Sequence, residues 1–116
     1  MIRTSLTLLA ALTLGGTTSA QFVMMTNSTL DTLVTFSPVD GSIITQNLFA
    51  IPNTVQVSAI DVNGEIWISE QTGDRVVRYD IAGNVLGQMG PTFAGGGLDN
   101  IRGMAYIGGQ VYVTNS

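Results

Sequence analysis

The side chains that could do chemistry in this sequence are carboxylates, amides, hydroxyls and arginines. The chain has no histidine and no cysteine, and its four cationic residues are all arginines. It therefore lacks the commonest general base and the commonest zinc ligand, and it can form neither a disulfide nor a thiolate metal site. Any catalysis by this segment must therefore use carboxylates, hydroxyls or arginine.

Four polar residues are the best candidates for ligand contacts, because they fall in turns predicted to share one edge of the fold. The first is Glu70, at the end of a predicted strand. The others are Asp99, Asn100 and Arg102, before a later strand near the end of the sequence. Binding residues usually lie on loops that converge at one edge of a rigid scaffold. No nucleophile stands beside a general base, so we predict ligand binding here, with no catalytic residue and no resident metal.

A structural role is the simpler interpretation of the neighbouring turn residues. Asp74 stands in one turn and Asp31 stands at the equivalent place 43 residues earlier. A recurring turn aspartate is typical of a side chain that caps the turn through local hydrogen bonds. Asn63-Gly64 is the strongest short-range signal for a two-residue hairpin.

The charge pattern excludes two classes of partner. Only 10% of the 116 residues are charged and the net charge is −4. The arginines are scattered, so the chain has no basic face with which to displace the counterions of a nucleic acid or to bind an anionic lipid surface. We therefore predict no nucleic-acid partner.

The N-terminus is typical of a secretory signal peptide. Arg3 gives a positive start, Leu6–Leu14 is apolar, and Thr18-Ser19-Ala20 supplies the small residues of a cleavage site. Nine apolar residues span roughly 14 Å as a helix, about half the hydrocarbon core of a bilayer, so no membrane span is expected. We predict a leader helix at 1–20, a mature chain at 21–116, and a secreted, periplasmic or cell-surface location.

The mature chain repeats itself. Residues 57–69 align without a gap on 102–114, at an offset of 45. Residues 26–37 align on 69–80 at an offset of 43, and 41–44 fall on 83–86 after one residue is removed. Self-similarity at a fixed period of this size indicates a repeat architecture.

One repeat unit predicts four antiparallel strands joined by short turns. The predicted strands are Val57–Asp61, Glu65–Glu70, Arg75–Asp80 and Asn84–Gln88. A single sheet of this kind leaves apolar area in water at a cost of about 25 cal/mol per Å², so the next unit must stack on it. Radially stacked four-stranded sheets of about 40–50 residues form a β-propeller. A β-sandwich fragment and a β-solenoid are the competing interpretations; a sandwich does not explain the repeat, and a solenoid turn is shorter.

The residues resemble a known family at this point. Glu65–Val85 is similar to an NHL-type repeat, and Val111-Tyr112-Val113-Thr114-Asn115 is similar to the YVTN-type repeat. The resemblance implies an all-β fold of antiparallel four-stranded β-propeller blades, here about two and a half of them at 21–52, 53–97 and 98–116, after the leader helix. Such propellers commonly have about six blades, roughly 250 residues or more, so we expect an N-terminal piece of a longer protein or fragments that associate to complete a ring.

Three functions remain open. The first is a secreted scaffold that binds a protein or a small molecule at its loops, without a cofactor. The second is a lactonase- or lyase-like propeller enzyme whose divalent cation, such as calcium, would use the oxygens of Glu70, Asp99 and Asn100 and be completed by further blades. The third is a structural protein of the cell surface. The absence of a nucleophile–base pair favours binding.

Overall fold

The computed structural model describes residues 23–52, 56–93 and 96–116, and this part of the chain contains strands and no helix. Its strands are β1 (Val23–Asn27), β2 (Thr32–Phe36), β3 (Ile43–Thr45), β4 (Gln56–Val62), β5 (Glu65–Glu70), β6 (Arg75–Tyr79), β7 (Val85–Met89), β8 (Thr92–Phe93), β9 (Gly96–Gly97), β10 (Met104–Ile107) and β11 (Gln110–Val113). The prediction of an all-β fold with antiparallel sheets is confirmed. The predicted leader at 1–20 lies outside the described residues. Within them, no helix is long and apolar enough to cross a bilayer.

The strands follow one another as antiparallel meanders. A first sheet has the order β1-β2-β3, a middle sheet has the order β4-β5-β6-β7, and a last hairpin pairs β10 with β11; β8 and β9 form a small ladder. The four strands expected between 57 and 88 are those of the middle sheet, with ends that differ by at most one residue. Turns this short leave no room for the crossover that parallel strands need.

Local turn chemistry explains how the first two strands of the middle sheet, β4 and β5, are joined. Asn63 and Gly64 both have positive φ, 54° and 91°, as a two-residue hairpin turn of the primed type requires. The Asp61 carboxylate accepts a hydrogen bond from the Gly64 amide at 2.8 Å. The turn fixes the register of β4 and β5, in which Ile60 lies opposite Trp67.

The register of the first sheet recurs in the middle sheet. The five residue pairs between β1 and β2 become the five pairs between β5 and β6 when 43 is added to each number, so that Asn27 opposite Thr32 becomes Glu70 opposite Arg75. The β-bulge of the next ladder recurs too, at Thr35/Phe36 and at Arg78/Tyr79. Two segments with different side chains thus form the same local structure.

The hairpins at Gly64 and Gly109 also fold alike. Ile60 lies opposite Trp67 in the first of them, and Ala105 lies opposite Tyr112 in the second, a displacement of 45 residues. All four pairs of the second hairpin have a counterpart in the first.

The main apolar cluster lies between the first sheet and the middle sheet. Its buried members are Leu33, Phe49, Ile51, Ile66, Ile68, Val77 and Tyr79. The rings of Phe49 and Tyr79 lie 5.2 Å apart between centroids, which joins the loop before β4 to the sheet. Full burial of one such side chain contributes about 1.5–3 kcal/mol, so this interface is a principal source of stability.

The opposite face of the middle sheet lies against the last hairpin. The apolar cleft between them, about 340 Å³, is lined by Trp67, Val76, Met89, Leu98, Val111 and Val113. The side-chain nitrogen of Asn63 also donates a hydrogen bond to the Tyr106 hydroxyl across this interface, at 3.1 Å. The middle sheet is therefore covered on both faces, whereas within the described residues the first sheet and the last hairpin each pack against a neighbouring sheet on one face.

Candidate functional site

The two loops predicted to share an edge meet in the structure. The Asn100 amide donates to the Asp74 carboxylate at 2.7 Å, and the Gln71 side-chain amide donates to the Asn100 side-chain oxygen. The Ser69 hydroxyl donates to the backbone oxygen of Arg102 at 3.0 Å. We call the turn 71–74 together with the segment 98–102 the loop edge.

Asp74 has a structural role, but its carboxylate bonds a distant loop and is not the local turn cap that its recurrence predicts. It adopts a positive φ of 50°, and Asp31 adopts 54° at the equivalent place. Aspartate and asparagine tolerate this left-handed conformation better than most residues. Because the Asp74 carboxylate accepts the Asn100 amide, it joins two loops that are 26 residues apart in sequence.

Glu70 is buried in the structure, although it lies beside the loop edge. Its side chain is 1% exposed, and its Oε1 accepts a hydrogen bond from Arg75 Nε at 2.8 Å. A Cβ at Gly73 would lie 2.9 Å from that oxygen, so a larger residue there would have to displace the carboxylate. Glu70 Oε2 is buried and has no hydrogen-bond partner among the described residues. The ion pair with Arg75 thus occupies one of the two oxygens that a ligand could use.

Tyr79 lies near this ion pair, in the apolar cluster. Burial raises the pKa of the Tyr79 phenol above its usual value, and the negative charge of Glu70 raises it further. Arg75 lowers the pKa in part. The phenol therefore stays neutral at physiological pH and packs as an aromatic core residue.

Asn100 uses its hydrogen-bonding groups within the fold. Besides the bonds to Asp74 and Gln71, its side-chain nitrogen donates to the Ser116 hydroxyl at 3.1 Å. Its φ of 49° is again left-handed. Asn100 therefore holds the loop edge together and has little capacity left for a ligand.

Asp99 and Arg102 are the candidate residues whose side chains face solvent. Both are exposed, and within the described part of the chain neither side chain makes a hydrogen bond or an ion pair. Their backbones are anchored, because the Asp99 amide donates to the Asn115 side chain at 2.6 Å and the Arg102 amide donates to the Thr114 oxygen at 3.3 Å. The loop edge thus presents a carboxylate and a guanidinium, three residues apart, on a fixed backbone.

The described residues contain no group of three or more histidine, cysteine, aspartate or glutamate side chains placed to hold a metal ion. Of the oxygens that a hard cation would use here, Glu70 Oε1 is paired with Arg75, and the side-chain oxygen of Asn100 accepts from Gln71. The chemistry that the loop edge offers with its own residues is hydrogen bonding and charge pairing.

A second polar cluster, which sequence reasoning missed, lies on the middle sheet. Glu65 accepts two hydrogen bonds from Arg78, at 2.8 and 2.9 Å, and one from the Trp67 indole at 3.0 Å. The Arg78 guanidinium lies 5.7 Å from the Trp67 ring centroid. The hydrogen bonds from Arg78, and after them the one from Trp67, lower the pKa of Glu65. The hydrogen bonds that Arg78 donates to Glu65 raise the pKa of Arg78. The predicted hairpin contained a signal for this cluster. Trp67 and Arg78 lie directly opposite each other on adjacent strands, and directly opposed residues share a face of the sheet.

An apolar groove on the outer face of the first sheet is the other feature that sequence reasoning missed. It measures about 420 Å³ and is lined by Met25, Thr26, Asn27, Ser28, Thr29, Val34, Phe36, Ile43 and Gln46. Val34 and Met25 lie directly opposite each other in the ladder, so both point into it. The groove lies on the sheet face that is turned away from the middle sheet.

Comparisons with models of protein families, with curated proteins and with solved structures found no match for this chain. Its function must therefore be argued from its own geometry. Two features carry that argument: the register that recurs along the chain, and the exposed pair of charged side chains at the loop edge.

Proposed function

We propose that this chain forms blades of a secreted, NHL- or YVTN-like β-propeller scaffold that binds a protein or small-molecule ligand at the loop edge. The blades would be 21–52, 53–97 and 98–116. The recurrence of the strand register at offsets of 43 and 45 supports the proposal, because radial repetition of one antiparallel sheet is what such a scaffold requires. The face-to-face packing of the successive sheets supports it too.

The observation that carries the binding function is the exposed pair of Asp99 and Arg102. A guanidinium binds a carboxylate through two parallel hydrogen bonds, and a carboxylate accepts from ammonium, hydroxyl or amide groups. Since the backbone of both residues is anchored to β11 and its C-terminal extension, little ordering is needed when a ligand binds. The ligand class that fits is a polar molecule or protein segment that carries a carboxylate.

The test is a titration followed in a two-dimensional amide NMR spectrum. Sodium succinate is the carboxylate probe, and sodium chloride at equal ionic strength is the control. We expect succinate to shift the amides of 98–102 and of the turn 71–74 and to leave those of the distant turn 38–41 unchanged. Arg102→Gln should remove the shifts, whereas Asp40→Asn, an exposed change outside the loop edge, should preserve them.

Two outcomes would overturn the proposed ligand class. One is an absence of succinate-dependent shifts at the loop edge. The other is a set of shifts that survives in Arg102→Gln. Calcium chloride provides a third arm: calcium-dependent shifts centred on Asp99 would replace the carboxylate ligand with a cation, as in the metal-dependent alternative.

A further inference from the structure

The two ends of the stack of sheets both present apolar faces to solvent. On the first sheet the outer face carries Val23, Met25, Val34, Phe36 and Ile43, which we call the first end face. Val23, Met25 and Ile43 are each more than 50% exposed there. Lone exposed apolar residues are common on protein surfaces, but a contiguous set on one sheet face marks an interaction surface.

The last hairpin carries the opposite end of the stack. Ala105 lies directly across from Tyr112 and Ile107 directly across from Gln110, so these side chains share the face turned away from the middle sheet. Ile107 is 64% exposed and Tyr112 is 55% exposed. We call Ala105, Ile107 and Tyr112 the second end face.

The middle sheet has a face that corresponds to the first end face, and there the structure shows what covers it. Adding 43 to Val23, Met25, Val34 and Phe36 gives the positions of Ile66, Ile68, Val77 and Tyr79 in the middle sheet. These four are buried at 1–4% exposure, because the inner face of the first sheet packs on them. Val23 and Met25, at 51% and 59% exposure, thus occupy positions that are core in the middle sheet, whereas Val34 and its counterpart Val77 are both buried.

The inner face of the first sheet, which covers the middle sheet, also recurs along the chain. Its last copy is the outer face of the last hairpin. Met24 on the inner face of the first sheet corresponds to Trp67 at offset 43, and Trp67 corresponds to Tyr112 at offset 45. Met24 packs against the cluster of the middle sheet, and Trp67 faces Val111 and Val113 of the last hairpin. Tyr112 is the next member of this series, and it is 55% exposed.

We propose that a second copy of this chain docks head to tail, with its second end face on the first end face of the neighbouring copy. The contact would repeat the two sheet-to-sheet interfaces already present in the molecule. Strands β1, β2, β3, β10 and β11 carry no charged residue, so the contact would bury no unpaired charge from these strands. Because the two docking surfaces differ, the interface is heterologous, and further copies can add until a ring closes.

The association test is sedimentation velocity on the purified chain from about 1 µM to about 100 µM, since self-association depends on concentration. We expect the mass to rise from one copy to two or more over this range. Met25→Lys on the first end face and Tyr112→Lys on the second should each abolish the rise. Val39→Lys, in an exposed turn outside both faces, should leave it unchanged. A circular dichroism spectrum for each variant establishes that the strands still form.

Mixing the two variants separates a head-to-tail contact from a symmetric one. The Met25→Lys chain keeps its second end face and the Tyr112→Lys chain keeps its first, so an equimolar mixture should regain a dimer and go no further. A wild-type chain that stays monomeric at the highest concentration would overturn the proposal. So would loss of association in Met25→Lys alone, with Tyr112→Lys unaffected, because that pattern requires the first end face to pair with itself.

Discussion

At the scale of single residues, the two glutamates of β5 show how position along a strand decides how much an ion pair contributes to stability. Glu65 begins the strand and is about one-third exposed, as is its partner Arg78. Glu70 ends the strand and is 1% exposed, while its partner Arg75 is 33% exposed. Removing a partner from a buried carboxylate leaves an uncompensated charge, whereas an exposed carboxylate is rehydrated.

The two arginines provide a matched comparison. We expect Arg75→Gln to destabilise the fold by about 3 kcal/mol, because the buried Glu70 side chain would lose the cation that it pairs with. Arg78→Gln should destabilise it much less, since Glu65 remains hydrated. Urea unfolding of both variants and the wild type checks this. Equal losses of stability in the two variants would show that Glu70 is not the buried charge that the structure describes.

Asp80 makes the stability of the fold depend on pH. Its carboxylate accepts hydrogen bonds from the Ala82 amide, the Asn84 amide and the Asn84 side chain, each at 2.9 Å. These bonds, the Asn84 side-chain bond first, lower the pKa of Asp80 below its usual value. A lowered pKa in the folded state gives stability that is present above the unfolded pKa, about 4, and is lost as the pH falls through the folded value.

The variant that isolates this effect is Asp80→Asn. The urea midpoint of the wild type should fall between about pH 5 and pH 2, and the fall should be smaller in the variant, which should also be less stable at pH 7. Asp99→Asn is the control, because the Asp99 side chain makes no hydrogen bond in the described part of the chain, and its midpoint at pH 7 should equal that of the wild type. An Asp80→Asn midpoint with the full wild-type pH dependence would contradict the role given to Asp80.

Residue-level prediction from sequence succeeded where the signal was local. Asp74 and Asn63-Gly64 adopt the turn conformations that their residue types favour. Glu70 was expected at the edge of the fold, but it points inward. The signal was present, since Ile66, Ile68 and Glu70 alternate along one strand and therefore share a face. What no local pattern carries is the bond from Asn100 to Asp74, which depends on how two distant loops pack.

At the scale of elements, two equivalent turns differ in what surrounds their glycine. Gly41 and Gly83 both have positive φ, 75° and 90°, and each precedes the last strand of its sheet. A Cβ at Gly83 would lie 2.7 Å from Phe49 Cβ and Cγ, whereas nothing lies within 4 Å of one at Gly41. The first turn thus requires glycine for its backbone, and the second requires it for packing as well.

Alanine at these two positions separates backbone strain from crowding. Gly41→Ala should cost about 1–2 kcal/mol, the price of a left-handed conformation for a residue with a Cβ. Gly83→Ala should cost several kcal/mol, because Phe49 must also move out of the apolar cluster. Urea unfolding gives both free energies, and the double variant Gly83→Ala/Phe49→Ala should lose less stability than the sum of the losses in the two single variants. If Gly83→Ala costs no more than Gly41→Ala, the contact with Phe49 is not important for stability.

The elements of the middle sheet were predictable because each boundary is local. Asn63-Gly64 and Ala82-Gly83 mark the turns, and apolar and polar residues alternate between them. The short ladder of β8 and β9 was not anticipated. Its β9 strand consists of Gly96 and Gly97, and glycines carry no period-two signal in a sequence.

At the scale of the whole molecule, the described sheets differ in how much of their surface is covered. The middle sheet has neighbours on both faces, and its strands β5 and β6 contain most of its buried residues. The last hairpin contains no buried residue in its strands, and β3 is likewise exposed or half-buried. Local opening is cheapest where few apolar contacts must be broken.

Native-state hydrogen exchange measures this gradient directly. We expect the amides that pair β5 with β6 to exchange slowest, at rates set by global unfolding, because opening them exposes apolar area on both faces of the middle sheet. Amides of β10 and β11 should exchange faster, through local opening that leaves the middle sheet intact. The comparison should be made at low protein concentration, where stacking of copies is absent. Protection in β11 as high as in β5 would mean that the described sheets unfold as one cooperative unit, and the repeat would then have no stability boundary between its units.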